Sequence, residues 1–264
     1  VFSVAAAEMG KLVVNVISVG HGDAIFIEFP NGASMLVDGG MTSQGDSLAR
    51  FIKKLGYSDL DYVVVTHTHP DHLGGLLAVL DSLEVGALWM STYHEDYPLY
   101  AAFTSKVESL DVPVTWVARN DTFKIGDVSI LILNPAAGSS IEQLGGLNNA
   151  SIVMRLEYGT TGILLAADID STRDRELVGL YGDRLQSRVL KCAHHGSEIS
   201  SSAEFLTAVS PRIAILSTGT GEYGYPSDTT MARIEKLVPT VYRTDHDGTI
   251  IVTLDGKNVT VKTQ

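Results

Sequence analysis

Between Thr66 and His72 the chain reads Thr-His-Thr-His-Pro-Asp-His, three imidazoles and a carboxylate within six positions. Imidazole nitrogen and carboxylate oxygen are donors that zinc, manganese and iron accept. Taking four such groups out of water together without a cation would be costly. The segment follows the β-branched run Tyr62-Val63-Val64-Val65 and precedes Gly74-Gly75 and the apolar stretch Leu76-Leu77-Ala78-Val79-Leu80. It therefore reads as the mouth of a buried strand turning into a helix. In an extended segment His67 and His69 point to the same side. Asp71 and His72, at the turn, can face a second point close by, a layout that suits two adjacent metal ions.

These donors need a scaffold, and the apolar patterning predicts one in two sets. The first set has strands at 13–19, 24–29, 34–37, 62–65, 87–90 and 115–117, with helices at 47–55, 75–83 and 99–110. After Asn120 a second set follows, with strands at 122–125, 129–133, 151–157, 162–166, 189–192, 213–216, 240–243, 249–254 and 258–262. Helices at 171–181, 203–209 and 227–237 separate them. A chain of 264 residues is within reach of one α/β domain, and residues 12–264 are expected to form it behind an extension of residues 1–11.

His67-x-His69-x-Asp71-His72 is also the signature of the metallo-β-lactamase superfamily, and other segments resemble that family in order. Met35-Leu36-Val37-Asp38-Gly39-Gly40 resembles its first motif, an Asp at the end of an early strand. Ile163-Leu164-Leu165-Ala166-Ala167-Asp168 resembles the motif whose acid bridges two metals, and Val189 to Ser197, with His194-His195, resembles the late histidine motif. The third motif, a histidine, is missing: the sole candidate between Leu80 and Asp168 is His94, in an unsuitable loop. Asn148-Asn149 occupies the expected position. More narrowly, Val19-Gly20-His21-Gly22-Asp23-Ala24, Ala193 to Ser197 with Ser200-Ser201-Ser202, Ala208 to Arg212 and Val241 to Asp245 are similar to the hydrolase-like domains of ComEC-type competence proteins, which belong to DNA-uptake channels. His21 stands where those domains more often carry Gln, a form also similar to phosphorylcholine esterases acting on teichoic acids. Tyr225 stands where they often carry His.

The resemblance implies an α/β fold, a four-layer αββα sandwich with its ligands on loops at one shared edge. It implies two divalent ions, zinc or manganese, that lower the pKa of water toward ~7. His67 and His69 would hold the first ion, with Asn148 or Asn149 beside it. Asp71, His72 and one of His194 and His195 would hold the second, and Asp168 would be shared. Asp38 would orient a ligand histidine, and Asp71, His194 and His195 would carry the chemistry. His21 would lie beside the substrate. Ser197 would either contact a phosphate oxygen or cap the following helix. The implied reaction is phosphodiester hydrolysis of a small diester or nucleic acid, with a membrane-channel partner. A phosphocholine ester, lactone or lactam hydrolase, and a non-catalytic metal-holding accessory domain, are the alternatives.

Composition sets limits on partners. With 31 acidic and 19 basic residues the formal charge is −12, which argues against tight nucleic-acid binding outside the metal cleft. The basic residues look scattered: Lys53-Lys54, Arg173 with Arg175, and Arg184 with Arg188 read as solvated helix faces. No apolar stretch reaches the ~20 residues needed to span a bilayer. A single cysteine, Cys192, excludes an internal disulfide and reads as a buried apolar residue. Residues 1–8 resemble the end of a secretory signal, so export and a cytoplasmic location both stay open. The glycines of residues 219–224 lack a Rossmann context and are expected to form a loop at the mouth of the site, with amides toward an anionic substrate.

Overall fold

Within the residues described by the computed structural model, 10–220 and 222–264, the apolar runs form two mixed sheets. In chain order the strands are β1 (Leu12–Val16), β2 (Ile25–Glu28), β3 (Ser34–Val37), β4 (Asp59–Val65), β5 (Glu84–Met90), β6 (Val114–Trp116), β7 (Thr122–Ile125), β8 (Val128–Asn134), β9 (Val153–Tyr158), β10 (Thr161–Leu165), β11 (Val189–Lys191), β12 (Ile213–Leu216), β13 (Thr240–Arg243), β14 (Ile250–Leu254) and β15 (Val259–Thr263). The first sheet has the order β15-β14-β1-β2-β3-β4-β5-β6 and the second β13-β12-β11-β10-β9-β8-β7. The helices are α1 (Gly45–Lys54), α2 (Pro70–Leu73), α3 (Leu76–Ser82), α4 (Pro98–Ser109), α5 (Ile141–Leu144), α6 (Ser171–Tyr181), α7 (Ala203–Val209), α8 (Asp228–Leu237) and α9 (Thr244–Asp247). None is long and apolar enough to cross a membrane.

Side-chain alternation along the strands builds the expected four layers. Ile25, Ile27, Met35, Val37 and Val64 of the first sheet meet Ile132, Met154, Ile163 and Leu165 of the second in a central core. Their neighbours Phe26, Leu36, Val63 and Val65 point the other way, onto Leu48, Ile52, Leu76 and Phe103 of the helices outside. Leu164, Leu190 and Ala214 likewise face Leu177, Phe205 and Ile234 on the second sheet's outer side. Strands buried on both faces explain why these segments read as continuous apolar runs rather than alternating ones.

One expectation is corrected. The strands near 249–254 and 258–262 belong to the first sheet, not the second. After β13 the short α9 and Gly248, at φ 72°, turn the chain across the sandwich, and β14 pairs antiparallel with β1. The helix expected over 75–83 is α3; the short α2 precedes it, and the two are joined where Gly74 and Gly75 are squeezed against neighbouring backbone. A Cβ on Gly75 would lie 2.0 Å from the carbonyl oxygen of Gly39. The secretory-signal reading concerns residues outside those described.

Both sheets contain a parallel block, β3-β4-β5-β6 and β10-β11-β12-β13. The histidine-rich segment leaves the C-terminal end of β4, Asp168 follows β10, and His194-His195 follows β11. Chemistry gathered at the carboxyl ends of parallel strands is the general placement in α/β sheets.

Candidate metal centre

Four non-glycine residues with left-handed backbone, Asp38, Ala167, His194 and His195, cluster where the two parallel blocks meet, with φ of 58°, 45°, 50° and 53°. Such strain persists only where surrounding contacts fix it, and it concentrates at functional sites. Gly22 shows how tightly the loops are drawn in: its φ is 112° and a Cβ there would meet the Asp71 carbonyl oxygen at 2.1 Å.

Asp168 is the common point. Its Oδ2 lies 3.2 Å from His72 Nε2, 3.4 Å from His195 Nε2 and 3.9 Å from both His67 Nε2 and His194 Nε2. Asp71 Oδ2 is 3.4 Å from His195 Nε2 and 3.8 Å from His72 Nε2. One donor atom from each of Asp71, His72, Asp168 and His195 falls within 4.8 Å of all the others. On the other side of Asp168, His67 Nε2 and His69 Nδ1 face each other at 3.1 Å. Two nitrogens each 2.0–2.1 Å from one tetrahedral ion are roughly 3.3 Å apart, so this pair too is spaced as a chelate. His72 Nε2, His195 Nε2 and Asp168 Oδ1 are buried without a hydrogen-bond partner. Buried polar atoms are ordinarily satisfied, so the donor set fits divalent cations.

Hydrogen bonds from neighbouring groups orient the inward-facing histidines. Asp38 accepts from Thr66 N at 2.8 Å and Thr66 Oγ1 at 2.7 Å, and holds His72 Nδ1 at 2.8 Å. His72 therefore presents Nε2 inward. His195 Nδ1 donates to the Ser217 carbonyl at 2.9 Å, which turns its Nε2 inward as well. Asp23, Asp38 and His72 also lie close together, but Asp38 is saturated and Asp23 is paired with the Lys191 ammonium, so that group is structural.

Charge follows the same geometry. Burial alone would discharge His72 and His195, yet the carboxylates around them, Asp168 foremost, hold both well above the ordinary histidine value. Burial would raise Asp168, but His195 and His72 hold it well below the usual carboxylate range. His67, buried and next to His72, is held neutral, and burial also lowers His194. For Asp38 burial outweighs its histidine partner and the carboxyl is raised.

The structure separates the paired alternatives. Of Asn148 and Asn149, Asn148 faces the centre: its Nδ2 is 3.3 Å from His194 Nε2 and its Oδ1 is buried and unpartnered. Asn149 turns away, accepting from Asp170 N at 2.8 Å. Of the histidines, His195 joins Asp71, His72 and Asp168, while His194 faces Asn148. His21 Nε2 is 3.2 Å from Asp71 Oδ2, and its ring lies 4.6 Å from that of His195 and 4.4 Å from that of Tyr223. Tyr225 sits 5.5 Å from the His194 ring, and Gly219 abuts Gly20 and His21, so the glycine loop does border the site. His94 stands apart, stacked on Tyr100. Ser197 does not cap the next helix; Ser202 does, accepting from Phe205 N at 3.1 Å. The Ser197 carbonyl instead accepts from Thr230 Oγ1 and Ser200 Oγ, each at 2.9 Å. Burial pushes the Cys192 thiol up to about 12, leaving it inert at neutral pH.

Sequence reading missed Asp23, Lys191 and Thr66. The signal for Lys191 was present: a lysine inside the apolar run Val189-Leu190-Lys191-Cys192 demands a buried anion.

The residues from 17 to 220 match the family model described as "Metallo-beta-lactamase superfamily". The chain belongs to this superfamily. It is 27% identical to ComE operon protein 3 of Bacillus subtilis, over 90% of this chain and 32% of that protein, and 27% identical to competence protein ComA of Neisseria gonorrhoeae, over 93% and 33%. The chain thus spans about a third of the length of these curated relatives. Among solved structures, the metallo-β-lactamase fold protein YhfI of Bacillus subtilis superposes with a TM-score of 0.57 at 11% identity, covering 92% of this chain and all of that one.

The family resemblance places a histidine where Asn148 stands, and an amide is a weaker metal donor than an imidazole. Asn148→His should tighten one of two bound ions, so that chelator titration strips both at similar concentrations, whereas wild type gives up one ion well before the other. Asn149→His should not tighten it, because residue 149 faces Asp170. Wild type losing both ions together would overturn this assignment.

Proposed function

We propose that this chain is a binuclear metal-dependent phosphodiesterase acting on nucleic acid or a related diester. The observation that carries the reading is the set of unpartnered buried donors, His72 Nε2, His195 Nε2 and Asp168 Oδ1, facing the His67-His69 pair across one carboxylate. His67 and His69, with Asn148, would hold one ion; Asp71, His72 and His195 the other; Asp168 both. Bound dications would supply a water of lowered pKa and polarise the phosphoryl oxygen. His194, kept neutral by burial, lies 3.9 Å from Asp168 Oδ2 and is placed to take a proton from the attacking water and pass it to the leaving oxygen. Asp38 and the Ser217 carbonyl fix the ligand tautomers. Likeness to proteins named for competence supports a nucleic-acid substrate and a membrane-channel partner.

The test is metal-loaded protein against bis-p-nitrophenyl phosphate, alongside a lactone, a β-lactam and a phosphocholine ester. The diester should show the highest kcat/KM. A higher value for any of the other three reassigns the substrate, and full metal occupancy with no turnover of any of them leaves an accessory metal-holding domain.

A further inference from the structure

Basic residues that are scattered in the sequence come together far from the metal centre. Lys124 and Arg155 lie on the outer face of the second sheet, since their neighbours Phe123 and Met154 point into the central core. Arg184 ends the turn after α6, and Arg188 and Arg212 immediately precede β11 and β12. The sequence expectation that Arg184 and Arg188 share a helix face is corrected: Arg188 lies in no helix. Two adjoining cavities, of about 480 and 580 Å³, share Arg155 and Glu157 as a common wall. Arg188 and Arg212 line one, and Lys124 and Arg184 the other.

Five cations face one carboxylate here. Glu157 is that carboxylate, and it is occupied by Arg155. Lys124, Arg184, Arg188 and Arg212 are exposed, and among the described residues none has an acidic partner. Ser210 adds a neutral hydroxyl to the arginine-rich cavity, while the Ser187 and Thr160 hydroxyls donate to the Leu185 and Gly256 carbonyls. On a chain of net charge −12, four cations without an ion-pair partner among the described residues, one of them, Arg184, over the Tyr181 ring, line one concave strip and form a local field opposite to that of the whole.

We propose that this strip is a second nucleic-acid contact, which holds the phosphates of a single strand in the two cavities. It rests on the nucleic-acid reading of the substrate above. The strip lies at the amino ends of β10, β11 and β12, whose carboxyl ends lead to Asp168, His194 and Ser217. At about 3.3 Å per residue a five-residue strand separates the two by roughly 15–20 Å, a few nucleotides of extended backbone. A long strand would engage both places, and a dinucleotide only the metal centre. The −12 charge alone predicted no such contact, because a net charge says nothing about local grouping.

The experiment is fluorescence anisotropy of a 5′-labelled oligothymidylate 20-mer with the intact chain in EDTA, which removes hydrolysis from the measurement. Arg188→Glu/Arg212→Glu should weaken binding at least about tenfold at 50 mM salt and flatten the salt dependence, which for single strands scales as about 0.7 per phosphate contact. Lys53→Glu/Lys54→Glu, on α1, should leave binding within about threefold of wild type, allowing for the change in net charge. Hydrolysis of bis-p-nitrophenyl phosphate by the Arg188/Arg212 variant should equal wild type, showing an intact fold. Equal oligonucleotide affinity of wild type and the Arg188/Arg212 variant, or inorganic polyphosphate competing as well as the oligonucleotide per phosphate, overturns the proposal. Metal-loaded wild type that does not hydrolyse the diester, while its oligonucleotide binding is still weakened by Arg188→Glu/Arg212→Glu, would instead sink the phosphodiesterase reading and leave the strip in place.

Discussion

Asp168→Ala should yield protein that retains well under one metal ion per chain and loses at least about a thousandfold in kcat/KM, roughly 4 kcal/mol of transition-state stabilisation. The reason is its position: Asp168 Oδ2 is within 3.9 Å of His67, His72, His194 and His195, so among the described residues it is the one that couples both halves of the donor set. His69→Ala should behave differently and keep about one ion, because its nearest donor contact is His67 alone. Elemental analysis of protein never exposed to chelator decides it, since occupancy follows from the ligands present. Wild-type protein carrying less than about 0.2 ions per chain, or Asp168→Ala retaining the wild-type metal content, would contradict the assignment.

Lys191→Met should cost about 3–5 kcal/mol of stability, the usual effect of leaving one member of a buried ion pair uncompensated, and lower the melting temperature by roughly 10 °C. Lys191 and Asp23 are fully buried and joined directly, one on β11 and the other in the loop between β1 and β2. Burial would discharge the lysine, but Asp23 raises it, and the pair keeps Asp23 well below the usual carboxylate range despite its own burial. Combining Lys191→Met with Asp23→Asn removes the stranded charge and should restore about half of the loss. Thermal unfolding of the single variant within about 2 °C of wild type would mean that Asp23 finds another partner.

What could be read in the chain was what lies close together in it. The spacing of His67, His69, Asp71 and His72 is local, and so are the apolar runs, which is why the strands fall near their expected places. Pairing is not local. The segments at 250–254 and 259–263 look like any other strands, and only the free edge of β1, more than 230 residues away, assigns them to the first sheet. The choice of Asn148 over Asn149 turns on a single 3-10 turn at Asn148–Ala150, and that of His195 over His194 on left-handed backbone at both. Neither conformation leaves a compositional trace. Lys191 and Asp23 are 168 positions apart, and the arginine strip is assembled from separate elements, so each was invisible until the chain was folded.

The candidate ligands come from both sheets: His67, His69, Asp71 and His72 from the end of β4, and Asp168 and His195 from the ends of β10 and β11. A slip of one sheet across the other would displace at least two of these side chains together. Metal binding would therefore report on correct assembly, and a partly folded chain with both sheets formed but misaligned would lack the donor cluster. In a cell, such a protein is silent until it is finished.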